Sequence, residues 1–152
     1  MNPLLLPSKH RRSRSTLPDT IVIHAMGEFV NEMFATDFLS SAGLSAHYLI
    51  LPDGRLINTV LPSQVAYHAK EWNNRSIGIE LLLEGVHTYQ SFLQRMKEPN
   101  PYSSAQLETI FNLLDLLEEE YPISQVLRHS DIDSEKFDPG PNFPFMEVMG
   151  GR

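Results

Sequence analysis

The chain has 152 residues, a net charge of −7 and no cysteine. That length suits one domain, and the missing thiols exclude disulfides, thiolate nucleophiles and thiolate metal ligands. Lys9, Arg11, Arg12 and Arg14 give the first fourteen residues a charge of +4 and leave a body of −11, which repels phosphate backbones and argues against nucleic acid as a partner.

Residues 1–18 read as a flexible basic arm ahead of a folded domain over 19–152. Two readings of the basic run stand: a solvated arm, or a contact with an anionic surface. Leu4, Leu5 and Leu6 precede the charges and fall short of the about 7–15 apolar residues of a signal-peptide core. No stretch approaches the roughly 20 apolar residues of a membrane span. A cytoplasmic location is therefore expected, with release by lysis or a non-classical route left open.

Ile21-Val22-Ile23-His24 is a short β-branched run, as expected of a buried strand. Residues 29–39 read as a loop or a poor helix. Residues 46–51 and 56–60 flank Pro52-Asp53-Gly54-Arg55, whose turn chemistry predicts a hairpin. Residues 76–83 form a near-continuous apolar strand interrupted by Glu80, and the polar, proline-containing stretch 85–101 reads as an insertion-like loop. Residues 103–120 carry the clearest helix signal: a Ser103/Gln106 capping box and an apolar stripe of Leu107, Ile110, Phe111, Leu114 and Leu117. Pro122 ends it. A short strand over 126–129, a loop over 131–142 and a last helix over 143–149 follow. Strands and helices interleave around a hairpin, so the expected fold is a mixed α/β single domain with a central mixed β-sheet flanked by helices.

His24 and His129 each close a strand-like run, and Asp138 sits in the turn Lys136-Phe137-Asp138-Pro139-Gly140. Strand ends are where open α/β sheets place their sites. Two imidazoles and a carboxylate suit Zn²⁺ with a fourth position open, the arrangement of a catalytic metal. Spacing alone does not decide this. The three residues are 105 and nine positions apart, each histidine could be a satisfied core side chain, and Asp138 could be an ordinary turn residue. Glu80 also has two readings. It either faces solvent from one side of the sheet or is a buried carboxyl with a tuned pKa, because an unpaired buried carboxylate costs several kcal/mol.

Six blocks then line up in a known order: Ile21-Val22-Ile23-His24; Ala46-His47-Tyr48-Leu49-Ile50 with Asp53-Gly54; Ala66-Tyr67-His68-Ala69; Asn74-Arg75-Ser76-Ile77-Gly78-Ile79-Glu80; Arg128-His129-Ser130-Asp131-Ile132; and Lys136-Phe137-Asp138-Pro139-Gly140-Pro141. In this order they resemble type 2 N-acetylmuramoyl-L-alanine amidases, the family of AmpD-type amidases, phage amidase lysozymes and peptidoglycan recognition proteins, over about residues 21–143. The resemblance implies zinc on His24, His129 and Asp138, with Glu80 as the base and Lys136 stabilising the transition state. It makes His68 a groove residue, with a purely structural role as the alternative. Asn74, Arg75 and Tyr48 are further candidates for substrate contact. The implied partner is peptidoglycan or a muropeptide, with a monomer expected.

Three departures from the family pattern stand out. Ala46 occupies the place of a tyrosine that phage and animal relatives use in catalysis, as in the AmpD type. Tyr67 and Lys70 stand where tryptophan and glycine are usual around the groove histidine. Ala25-Met26-Gly27-Glu28 lacks the hydroxyl-bearing pair that commonly follows the first ligand. The function implied is hydrolysis of the amide between N-acetylmuramic acid and L-alanine; the alternative is a module that binds peptidoglycan without cutting it.

Overall fold

A computed structural model describes residues 1–29 and 39–152. Its strands are β1 (Leu4–Leu5), β2 (Arg11–Ser13), β3 (Thr20–Phe29), β4 (Tyr48–Ile50), β5 (Leu56–Asn58), β6 (Gln64–Ala66), β7 (Ser76–His87) and β8 (Gln125–Arg128). The helices are α1 (Tyr89–Lys97), α2 (Ser104–Glu120), α3 (His129–Ile132) and α4 (Phe145–Met149), with a 3₁₀ turn at Asn73–Arg75. The expectation of a loop or poor helix at 29–39 lies almost wholly outside the described residues. No helix among the described residues is long and apolar enough to cross a membrane.

Six strands form a mixed sheet in the order β1-β5-β4-β7-β3-β8. β3 runs parallel to both β7 and β8, and β4 parallel to β7, whereas β4 and β5 form the antiparallel hairpin predicted at Pro52-Asp53-Gly54. Gly54 holds φ +88° in that turn, a conformation glycine adopts without strain. Alternation along the strands divides the side chains between two faces. Ile21, Ile23, Tyr48, Ile50, Ile77, Ile79, Leu81 and Leu83 share one cluster with buried residues of α1, α2 and α4. Met26, Leu49 and Leu82 belong to the opposite cluster with Leu39, Ala46 and Ile57.

The Ser103 capping box forms as expected, its hydroxyl accepting from Gln106 N–H at 3.1 Å. The buried stripe of α2 is rotated from the predicted one. Leu113 is fully buried, while Phe111 is 38% exposed beneath the Arg152 guanidinium.

Another expectation changes. The stretch 85–101 is no loop: β7 runs on to His87, and Thr88 caps α1 through a Thr88/Ser91 capping box. Residues 1–18, expected as a flexible arm, carry the short strands β1 and β2. β1 pairs with β5 and β2 with β6, and Arg14 anchors the run further. Its guanidinium donates to the carbonyls of Pro62 (2.7 Å), Asn74 (3.1 Å) and Ser76 (2.7 Å), so the basic segment is stitched to the domain by hydrogen bonds as well as strand pairing.

Candidate active site

The site lies on the sheet face opposite α2. The parallel register sets His24 on β3 directly beside Glu80 on β7, so both side chains project from the same face. β8 ends opposite Ile23, and the next turn of chain begins α3 with His129. Beyond β8 the Ala25 N–H is taken by Asp138 Oδ2 at 3.1 Å. Ser130 N–H donates to the Asp138 carbonyl at 3.1 Å. The loop around Asp138 is held on its far side as well. Tyr102 O–H donates to the Pro139 carbonyl, and Asn142 Nδ2 donates to the carbonyls of Lys97 and Glu98 at the end of α1, both at 2.8 Å. Gly140, at φ +90°, lies so close to Met96 that an added Cβ would meet Met96 Cβ at 3.0 Å.

His24 Nδ1, His129 Nδ1 and Asp138 Oδ2 converge. The nitrogens are 3.0 Å apart, and the carboxylate oxygen lies 3.2 Å from His129 and 3.6 Å from His24. Ligands about 2.0–2.2 Å from one tetrahedral ion would lie roughly 3.3–3.6 Å apart, so this group could hold a metal ion. Glu80 Oε1 is 3.9 Å from His24 Nδ1, and Glu80 Oε2 is buried with no hydrogen-bond partner among the described residues.

Burial shapes the electrostatics. It pushes the Glu80 carboxyl well above the usual carboxylate range, and the Asp138 charge adds to the shift. Burial also lowers the His24 imidazole, with the Asp138 charge opposing it. For Asp138 itself burial acts upward, but the hydrogen bond from His129 and the attraction of both rings outweigh it and hold the carboxyl below its ordinary range. The result is an ionised carboxylate and a neutral-leaning one on the same cleft wall, a pattern typical of sites with divided acid–base roles.

These groups open into a cleft of about 470 Å³, walled by Tyr89, Phe92, Leu93 and Phe137 on its apolar side and by Lys70 and Lys136 among its polar residues. The Lys136 charge reaches His24.

The other sequence candidates separate. His68 borders the cleft, but both of its ring nitrogens are engaged within the protein, Nδ1 with His24 Nε2 at 2.9 Å and Nε2 with Ser76 Oγ at 3.1 Å. Tyr48 is not a cleft residue. β4 begins at Tyr48, whose side chain packs in the helix-side core, where burial raises its phenol to about 12. Asn74 and Arg75 also lie away from the cleft lining. The Asn74 side chain accepts from Arg12, and the Arg75 guanidinium grips Asp19 through two bonds of 3.0 and 2.9 Å while lying over Trp72. The neighbouring Asn73 is the one that supports the site, its Oδ1 accepting from both His68 N–H (2.9 Å) and Ala69 N–H (2.8 Å). Asn73, Ser76 and Tyr102 were missed by sequence reasoning. An Asn just before a strand was a usable signal for a loop cap; nothing local pointed to Tyr102, whose partner is 37 residues away.

The sequence matches the family described as N-acetylmuramoyl-L-alanine amidase over residues 13–141. No curated protein sequence matches the chain. Among solved structures, a selenomethionine derivative of AmpD is similar with a TM-score of 0.75 at 26% identity, over 97% of this chain and 93% of that one. The amidase LysC from Clostridium intestinale gives 0.77 at 23% identity, over 99% and 97%. The ectodomain complex of the peptidoglycan recognition proteins LCa and LCx, bound to tracheal cytotoxin, gives 0.70 at 19% identity over 96% and 94%. The last two likenesses speak to the fold.

Proposed function

Because the chain belongs to the N-acetylmuramoyl-L-alanine amidase family, we propose that it is a zinc-dependent hydrolase of the amide between N-acetylmuramic acid and L-alanine in peptidoglycan or muropeptides. One observation carries the reading: His24, His129 and Asp138 present three ligand atoms within 3.6 Å of one another, beside the buried Glu80 carboxyl, whose Oε2 has no hydrogen-bond partner among the described residues. The donor set fits the metal. Two imidazole nitrogens facing each other and an anionic oxygen are drawn together by a cation, and three protein ligands leave a fourth position open.

Zinc, when bound, supplies Lewis-acid polarisation of the scissile carbonyl and brings the pKa of water to near 7. The chain's own residues do the rest. Glu80 takes the proton of the attacking water as its oxygen bonds to the carbonyl carbon, and returns that proton to the nitrogen as the C–N bond breaks. Its raised pKa suits a group that must both accept and release a proton near neutrality. Lys136 places positive charge where the tetrahedral oxyanion develops. The apolar wall of Tyr89, Phe92 and Phe137 excludes water from one side of the reacting amide and strengthens both charge interactions.

Incubation with muropeptides, with and without chelator, tests the reading through release of free stem peptide. Cleavage that stops with chelator and returns with zinc supports it; tight binding without cleavage would make the chain a recognition module instead. Glu80→Gln is expected to keep zinc and lose about 10²–10⁴-fold in turnover. Near-wild-type turnover in that variant removes Glu80 from the mechanism.

A further inference from the structure

We propose that His68 is a positioning residue that sets the tautomer of His24 through a hydrogen-bond relay running from the Trp72 carbonyl through Ser76 and His68. The chain of contacts is continuous. Ser76 Oγ is 2.7 Å from the Trp72 carbonyl oxygen, Ser76 Oγ is 3.1 Å from His68 Nε2, and His68 Nδ1 is 2.9 Å from His24 Nε2. Its direction follows from the first link. A carbonyl oxygen can only accept, and a serine has one hydroxyl proton, so that proton points to Trp72. Ser76 Oγ must then accept from His68 Nε2–H. A neutral His68 with its proton on Nε2 has a bare Nδ1, which accepts from His24 Nε2–H. The bare nitrogen of His24 is therefore Nδ1, the one that faces His129 and Asp138.

The opposite tautomer fails at two places. A proton on His68 Nδ1 would leave Nε2 and Ser76 Oγ facing each other with lone pairs only, at 3.1 Å. It would also turn His24 Nε2 into the acceptor and drive the His24 proton onto Nδ1, into the ligand triangle. Metal-bound histidines usually donate their outer N–H to a carboxylate, a backbone carbonyl or water. Here a second, neutral imidazole takes that place, and its own orientation is set by a serine.

The surroundings of His68 match this role. Its ring lies against Gly78, where an added Cβ would come within 2.5 Å of Cγ and Nδ1; a side chain at position 78 would therefore push the ring off His24. The backbone of the His68 loop is held by Asn73 Oδ1 through two amides. Glycine at 78, asparagine at 73 and serine at 76 together seat one imidazole in one orientation.

The consequence for metal binding rests on the reading of His24 as a zinc ligand; the relay itself does not. The test therefore has two arms on the full chain. Long-range ¹H–¹⁵N spectra of the zinc-free protein should show both His24 and His68 as Nε2–H tautomers. An Nδ1–H tautomer at either residue overturns the proposal, whatever the metal does. In the second arm, zinc affinity is read by competition with a chromophoric chelator. His68→Leu should weaken binding by about 10–100-fold, and His68→Asn, whose carboxamide oxygen stands where Nδ1 stood, should restore most of it. Equal affinity in the two variants overturns the relay. Wild-type protein that takes up no zinc sinks the metal reading alone, and the tautomer pattern then still decides whether the relay exists.

Discussion

His47 offers a sharp test of how burial governs titration in this fold. It is fully buried; its Nδ1 accepts from Gly78 N–H at 3.0 Å, and its Nε2–H donates to the Gln64 carbonyl at 2.8 Å. A second proton has nowhere to go without breaking the Gly78 bond. Burial pulls the imidazole down to about 3, with the Gln64 hydrogen bond opposing and the Arg14 charge adding to the fall. The unfolded chain has an ordinary histidine near pH 6.5. Between those values the unfolded state binds a proton that the folded state refuses, so this group's contribution is complete above about pH 6.5 and is lost as pH falls toward 3. From pH 6.5 to 4.5 the loss amounts to about 2–3 kcal/mol. Urea denaturation of zinc-free protein across pH 4.5–7.5 measures it, with His47→Asn as the reference. Asparagine can still accept from Gly78 N–H but does not titrate. His24 and His68 are lowered in the same sense and are present in both proteins, so they cancel in the difference. Wild-type stability should fall more steeply on acidification than that of the variant, by about that amount. Parallel profiles would show that His47 is not held neutral, and the reasoning from its two hydrogen bonds would fail.

Tyr102→Phe leaves the Pro139 carbonyl without its buried donor, so stability should drop by about 1–3 kcal/mol and turnover should fall as the Asp138 loop loosens; an unchanged urea midpoint would count against this anchor. Ser103→Ala removes the α2 cap and a 2.6 Å bond to the Pro52 carbonyl, and calorimetry should find the Tm lower by about 2–8 °C. Arg75→Ala should leave muropeptide KM and kcat at wild-type values, because the guanidinium is bound to Asp19 and lies away from the cleft. A large rise in KM would return Arg75 to the substrate site.

Features carried by contacts within a few residues were legible in the sequence. The Ser103/Gln106 box, the Pro52-Asp53-Gly54 turn and the β-branched run at Ile21 each state their structure locally, and the helix and hairpin form where expected. The second cap was overlooked because its N3 residue is Ser91, not the Glu or Gln that marks the usual box. The six ordered blocks pointed to the family, and so to His24, His129, Asp138 and Glu80 as a group. Their meeting was not readable from spacing. It depends on the parallel register that sets His24 beside Glu80, on β8 ending opposite Ile23, and on Tyr102 and Asn142 holding the Asp138 loop. Side-chain direction was also decided by the tertiary structure. Tyr48 packs in the helix-side core, Arg75 is drawn away by Asp19, and His68 turns back onto His24 over the bare backbone of Gly78. Local sequence encodes which conformations are cheap. Which distant side chains share a face is set by strand register and packing over the whole sheet, and that is what brings His24, Glu80, His129 and Asp138 together.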